Sequence, residues 1–385
     1  MRWAVICVAA LWLGGVLIVQ QPGCSENGHY ALVRSLADGA PSIDRYHWWT
    51  CDVSYYQGHF YTAKGPGLAA AALPALYIVR AVSNVGHVPA WNGPPLSPAP
   101  KRAIWPLEAM VVLTSGILLF LFMRFLAEAV VPGVGTLVAF VLTAGTMLLP
   151  YSTLFASHVP SAMLGTAAFV LLFRERRAPA ASSRTLVAAG VLAGASIVVE
   201  RPMGLVTVAL IGYTLVRGRD WQRPLAYLGG ALVGVLPLLI FDHWAFGSIA
   251  HTPYSDTVSI SGDTGHDQLG ANQNGFFGIA VPSLNVAARL LLLNKGLFVA
   301  TPIVLAGLAG LWWLLKESAF RAEAWLITVL GIAYLIYNAA YYQPYGGDSA
   351  GPRFLIPLLP FVALPQLLDL LAKESIPATF FALGS

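Results

Sequence analysis

Charge is what this sequence has least of. Only 10% of its 385 residues are Asp, Glu, Lys or Arg, a proportion that excludes an ordinary soluble globular domain and a charged disordered chain alike. Cysteine is nearly as scarce: three residues, Cys7, Cys24 and Cys51, rule out a disulfide-dense scaffold or a cysteine-rich metal centre. There is no His-Glu-x-x-His pair for zinc and no Walker phosphate loop, so soluble metallohydrolase and nucleotidase readings lose support. Nor is there an internal repeat of the kind common in transporters.

Apolar residues fill the space that charge leaves. Hydrophobic types make up 57% of the chain and mean hydropathy is +0.68. Apolar runs approaching the ~20 residues that a bilayer crossing needs recur from Trp3 to Leu371. The chain reads as an all-α polytopic membrane protein, a single integral domain over residues 1–385. The first run, Trp3 to Val19, resembles a signal peptide, but Val19-Gln20-Gln21-Pro22 is a poor cleavage site, and an uncleaved first helix is expected.

Basic residues set the orientation. Arg2, Arg124, Arg174 to Arg177, Arg217 to Arg223, Lys316 with Arg321, and Lys373 lie between apolar runs and mark the cytoplasmic side. The net charge of +4 therefore reflects topology, and nucleic acid is not an expected partner. About ten spans follow, near 3–19, 104–123, 132–149, 159–173, 185–199, 203–217, 224–241, 296–315, 325–341 and 353–371, with both termini cytoplasmic. Counting Gly67 to Val82 as a crossing would turn the later basic clusters outward, so it is expected to be interfacial or re-entrant.

Two long outer loops result, 20–103 and 242–295. Cys24 and Cys51 share the first; they are either a disulfide in an oxidising compartment or two unrelated thiols. The Trp and Tyr residues of that loop suit an interfacial belt or a sugar-stacking wall. In the second, Ser255 to Asn274 has few apolar anchors and suits a segment closing over substrate. Acids and histidines collect on this same face.

An outer-loop carboxylate can accept the proton of an acceptor hydroxyl, and Asp52, Asp44 and Glu26 are candidates. A cation nearby can hold a departing phosphate; Lys64 and Arg353 are suited, and His59 joins them. Gly65 and Gly67 would let backbone N–H groups approach the phosphate. His158, Glu200, Arg201, Asp348 and Tyr61 are candidate cavity-lining residues. For Glu200 and Arg201 the alternative is a salt bridge capping two helix ends.

The motif Ile43-Asp44-x-Tyr46, Thr50-x-Asp52, Gly58-His59-x-Tyr61-x-x-Lys64-x-Pro66-Gly67 resembles the first outer loop of bacterial GT-C glycosyltransferases, relatives of protein mannosyltransferases and aminoarabinose transferases. The resemblance continues through Leu149 to Thr153, His158, Phe246-Gly247, Pro253-Tyr254 and Gly296 to Phe298, and closes at Gly346-Gly347-Asp348-Ser349-x-Gly351-Pro352-Arg353-Phe354. It implies a GT-C type helix bundle with a long first exoplasmic loop carrying interfacial helices. It also implies a polyprenyl-phosphate sugar as donor, transfer at the exoplasmic face of the inner (plasma) membrane, a first-loop acid as base and a lysine near the donor phosphate, a position Lys64 matches. Ser25-Glu26-Asn27 departs from the family's acid pair after the first helix. Glu26 or Asp52 would serve as base, with Asp52 favoured and Asp44 as its orienting partner. The chain ends soon after its last apolar run, so acceptor recognition is expected from the loops or a partner protein. No cofactor is called for, and sugar, acceptor and metal requirement are left open. The alternatives from other classes are a lipid-sugar flippase or transporter and a catalytically inactive GT-C-like scaffold.

Overall fold

The fold is that of a computed structural model, which describes residues 2–83, 101–218, 220–259, 266–271, 278–293, 295–347 and 349–363. Among the described residues three helices are long and apolar enough to cross a membrane: Lys101–Val130, Gln222–Phe246 and Arg321–Ala340. The bent pair Leu284–Ala300 and Val304–Lys316 makes a fourth if it is counted as one span. Arg2–Leu17, Pro66–Val82, Gly135–Ala144, Ser183–Val199 and Arg353–Ala363 are apolar but shorter. The expected run 132–149 is divided between Gly135–Ala144 and Leu148–Ser152. At 353–363 the backbone is a 3-10 helix containing Pro357 and Pro360, which supply no backbone N–H to an α-helical ladder. Large apolar side chains such as Val208, Leu232 and Trp312 stay exposed around the bundle, as a lipid-facing surface requires.

Bundle packing relies on small residues. Ser183–Val199 lies against Gln222–Phe246 so closely that a methyl added at Gly190 or Gly230 would come within 2.0 or 2.1 Å of the opposing backbone. Glycine is what permits that approach. Within Lys101–Val130 a π-helical stretch, Glu108–Leu113, follows Pro106, whose missing N–H interrupts the regular pattern.

The segment that follows the first helix is built of regular elements over its described part, residues 20–83. After α1 (Arg2–Leu17), α2 (Cys24–Ala37) begins and buries most of its length, including Glu26, His29, Tyr30 and Arg34. The chain then departs from the all-α expectation: β1 (Val53–Tyr56) and β2 (His59–Thr62) form an antiparallel hairpin pairing Val53 with Thr62 and Tyr56 with His59. These segments are β-branched and aromatic. Gln57 and Gly58 both take positive φ, 49° and 88°, as a two-residue type I′ connection needs. The next helix, α3 (Pro66–Val82), covers the stretch expected to be interfacial or re-entrant.

Cys24 and Cys51 form a disulfide. It ties the first residue of α2 to the residue before Asp52. Trp49 stacks on Tyr30 at 5.5 Å, so the same region is also held by aromatic packing.

Candidate active site

The hairpin is the device that builds the site. Asp52 precedes β1 and Lys64 follows β2, and the Ala63 N–H donates to the Asp52 carbonyl at 3.1 Å, extending the ladder by one step. Twelve positions apart in sequence, the two side chains meet: Lys64 Nζ lies 2.5 Å from Asp52 Oδ2. His266 Nε2 contacts the other carboxylate oxygen, Oδ1. Behind His266, the Tyr342 hydroxyl lies 2.5 Å from Nδ1. Thr50 fixes the approach, accepting the Asp52 N–H at 3.0 Å while donating its own hydroxyl to the Cys24 carbonyl at 2.6 Å. Burial alone would raise the Asp52 carboxyl, but Lys64 and His266 outweigh it and hold it well below the usual carboxylate range.

This ion pair stands between two cavities. One, of about 370 Å³, is lined by His29, Lys64, Glu200, Arg201, Tyr254 and Arg353 among others. The other, of about 620 Å³, is lined by Gln20, Glu26, Asp52, Tyr151, Ser349 and Arg353 among others. Lys64 faces the first and Asp52 the second, while His266, Gln343 and Arg353 border both. Among the described residues, Arg353 Nε and Arg201 Nη1 are buried without a hydrogen-bond partner. Arg353 reaches this position because Gly346, at φ 82°, has no Cβ; one there would lie 2.4 Å from Arg353 Nε.

The other expected site residues divide. Glu26 borders the larger cavity, and its Oε2 accepts the Gly23 N–H at 2.8 Å, the N-terminal capping contact of α2. Glu200 and Arg201 border the smaller cavity, but each has a partner other than its neighbour. Glu200 Oε1 lies 2.7 Å from His158 Nδ1 and its Oε2 accepts from Ser161 at 2.7 Å; Arg201 pairs with Asp242 at 3.2 Å. His158 thus enters the site through Glu200.

Asp44 and His59 stand apart from both cavities. Asp44 Oδ2 lies 2.8 Å from His59 Nδ1 and accepts from Ser42 at 2.7 Å, and Oδ1 accepts the Phe60 N–H at 2.6 Å. Burial works against ionisation there, but the Phe60 N–H and His59 together lower the carboxyl. The pair anchors the loop to the hairpin, so neither Asp44 as Asp52's orienting partner nor His59 as a phosphate ligand has a contact to act through. Tyr61 is likewise an anchor, donating to the Ala245 carbonyl at 2.8 Å and packing on Phe246. Asp348 lies outside the described residues.

Gly67 does not serve a ligand: a Cβ there would lie 2.6 Å from the Val199 backbone nitrogen, so the glycine admits the end of Ser183–Val199. Gly65 meets the same segment, where a Cβ would lie 2.7 Å from the Val198 carbonyl oxygen, although it also borders the smaller cavity. Gly347-x-Ser349-x-Gly351 has the spacing of a hydrolase nucleophile elbow. Ser349 Oγ, however, donates to the Tyr345 and Gly351 carbonyls at 2.9 and 2.5 Å, and among the described residues the element that leads toward it is the helix Arg321–Ala340 rather than a strand.

Sequence reading missed His266 and His29. Both are single histidines without a neighbouring motif, and the contacts of His266 come from far away in the chain. His29 is 1% exposed, and neither ring nitrogen has a partner among the described residues. Burial, reinforced by Lys64 and His158, holds its imidazole well below the usual range, so it is neutral at pH 7.

No protein-family model matches this chain, and no curated protein matches it. Solved structures do. ArnT from Cupriavidus metallidurans bound to undecaprenyl phosphate matches 98% of the chain at 15% identity with a TM-score of 0.63. The Archaeoglobus fulgidus oligosaccharyltransferase AglB, in complex with an inhibitory peptide and a dolichol-phosphate, matches 99% of it at 14% identity with a TM-score of 0.53. The chain spans 60% of the first protein's length and 51% of the second's. It therefore shares a fold with them.

Proposed function

We propose that this chain, built on a fold shared with two lipid-phosphate-binding transferases, is a membrane glycosyltransferase that moves a sugar from a polyprenyl-phosphate donor to an acceptor hydroxyl. One observation carries the reading. The cavity of about 370 Å³ gathers Lys64, Arg201 and Arg353, and two buried guanidinium nitrogens there lack partners. Buried donors without acceptors cost about 1–3 kcal/mol each, a penalty that an anionic ligand relieves. A phosphate ester fits in charge and donor geometry. The resemblance points to the same ligand, and undecaprenyl phosphate and dolichol-phosphate occur in the complexes named above.

In this reading the donor phosphate sits against Lys64 and Arg353, and the acceptor hydroxyl enters from the larger cavity, on the Asp52 side of the ion pair. The acceptor oxygen forms a bond to the anomeric carbon as the carbon–phosphate oxygen bond breaks. Lys64 and Arg353 neutralise the charge that grows on the departing phosphate. Asp52 supplies the negative charge for proton removal, with Glu26 bordering the same cavity. Displacement through a partition with phosphate on one side and acceptor on the other inverts the anomeric centre. We place the reaction at the exoplasmic face of the inner membrane, in a ten-span topology set by the basic loops.

The test is transfer by purified chain in lipid nanodiscs, using a panel of radiolabelled polyprenyl-phosphate hexoses and pentoses. The expected result is label released from at least one donor, at a rate abolished by Asp52→Ala. A panel that is neither bound nor consumed contradicts the reading, and full activity in a folded Asp52→Ala protein contradicts the role of Asp52.

A further inference from the structure

Asp52 is poorly prepared to take a proton itself. Both of its oxygens are engaged, one by Lys64 and one by His266, and those contacts favour the charged carboxylate. A general base works best when its proton affinity is matched to the medium, and a carboxylate stabilised by two partners has lost much of its own. The group beyond it is better placed.

The tautomer of His266 follows from its hydrogen-bond neighbours. An ionised carboxylate only accepts hydrogen bonds, so the ring nitrogen facing Asp52, Nε2, carries the hydrogen. In the neutral ring Nδ1 is then an acceptor, and the Tyr342 hydroxyl donates to it at 2.5 Å. Burial raises the Tyr342 phenol well above its usual range, so it keeps its proton. The arrangement is a carboxylate, an imidazole and an O–H in series, with the imidazole's free lone pair aimed at a hydroxyl. His266 also borders both cavities, and its backbone is fixed by the Ala271 N–H donating to its carbonyl at 2.9 Å.

The geometry points to His266 as the general base of the transfer reaction, with Asp52 as the residue that orients and charges it. This rests on the glycosyltransferase reading. The acceptor hydroxyl replaces the Tyr342 hydroxyl at Nδ1, one O–H donor for another. As the acceptor oxygen bonds to the anomeric carbon, its proton passes to Nδ1, and the carbon–oxygen bond to phosphate breaks with its electron pair leaving on the polyprenyl phosphate. The imidazolium, held between Asp52 and the new product, then returns its proton to water. No oxidant, reductant or further reactant is required.

The experiment uses the full chain in nanodiscs with whichever labelled polyprenyl-phosphate sugar the wild type consumes, and compares His266→Ala with wild type in three readouts. Expected are a kcat lowered ~10²–10⁴-fold, undecaprenyl phosphate binding within about threefold of wild type, and partial recovery of kcat on adding free imidazole. A merely structural histidine would not respond to imidazole. If kcat stays within threefold of wild type, or falls without imidazole rescue while binding is intact, the assignment of His266 is overturned and the transferase reading stands. If the wild type neither binds undecaprenyl phosphate nor consumes any donor, both fall.

Discussion

Two buried ionic clusters sit in different parts of the molecule and are built on opposite plans. In the arginine-rich one, Glu175 takes Arg223 at 2.5 Å and Arg217 at 3.3 Å, while Glu323 takes Arg177 at 2.7 Å, Tyr213 at 2.6 Å and a further contact from Arg176. Neither acid borders a described cavity. In the cluster around Lys64 the acids are just as firmly held, but Arg353 and Arg201 keep unpartnered nitrogens beside open volume. Among the described residues the first cluster leaves one buried acid oxygen, Glu323 Oε2, without a partner but no buried guanidinium nitrogen, whereas the second leaves guanidinium donors unpartnered on residues that line a cavity, a composition suited to an anion.

The sharpest break in that comparison is Glu175→Gln. It leaves the Arg223 guanidinium buried opposite a neutral amide, and stability is expected to fall by about 3–5 kcal/mol, as when one partner of a buried ion pair is removed. Denaturation would show the loss, while turnover per folded molecule stays at the wild-type level. Lys64→Gln is expected to do the reverse in emphasis: turnover falls ~10²–10³-fold, the range for losing one preorganised charge-stabilising group. Assays normalised to folded protein, read beside melting curves, separate the two outcomes.

A smaller effect is expected from reducing the Cys24–Cys51 bridge, which closes a loop of sequence separation 27. Chain-entropy arguments give a loss of about 3–4 kcal/mol at most, concentrated in the loop that carries Asp52. Hydrogen exchange should therefore rise over α2 and the hairpin, with little change in Ser183–Val199. The smallest effect concerns pH. Because the His29 imidazole is held below its usual value of 6.5, the unfolded chain binds a proton that the folded one refuses. Stability is whole above that value and declines as pH falls through it toward the folded value. Melting temperatures between pH 7.5 and 5.5 should decline less steeply in His29→Phe.

The membrane character of the chain was legible because it depends on composition, which needs no tertiary contact. The Asp52 and Lys64 neighbourhood was legible in part: both residues stand in one motif, but their direct contact depends on a hairpin whose Gln57-Gly58 turn lacks the stronger Asn-Gly or Asp-Gly signal. Asp44 and His59 were over-read for the same reason. Adjacency in a motif gave them catalytic company, whereas the hairpin turns them toward each other. His266 comes from 214 positions beyond Asp52, and no local pattern marks that kind of contact.

The central claim is that the cavity bearing Lys64 and Arg353 binds a polyprenyl phosphate. Equilibrium titration of the purified chain with undecaprenyl phosphate, set beside Lys64→Gln and Arg353→Gln, addresses it most directly. The account predicts saturable binding by wild type, weakened about tenfold or more in each variant, in line with charge-assisted contacts of roughly 1.5–3 kcal/mol. Equal affinity in all three proteins, or no saturable binding in any, would contradict it.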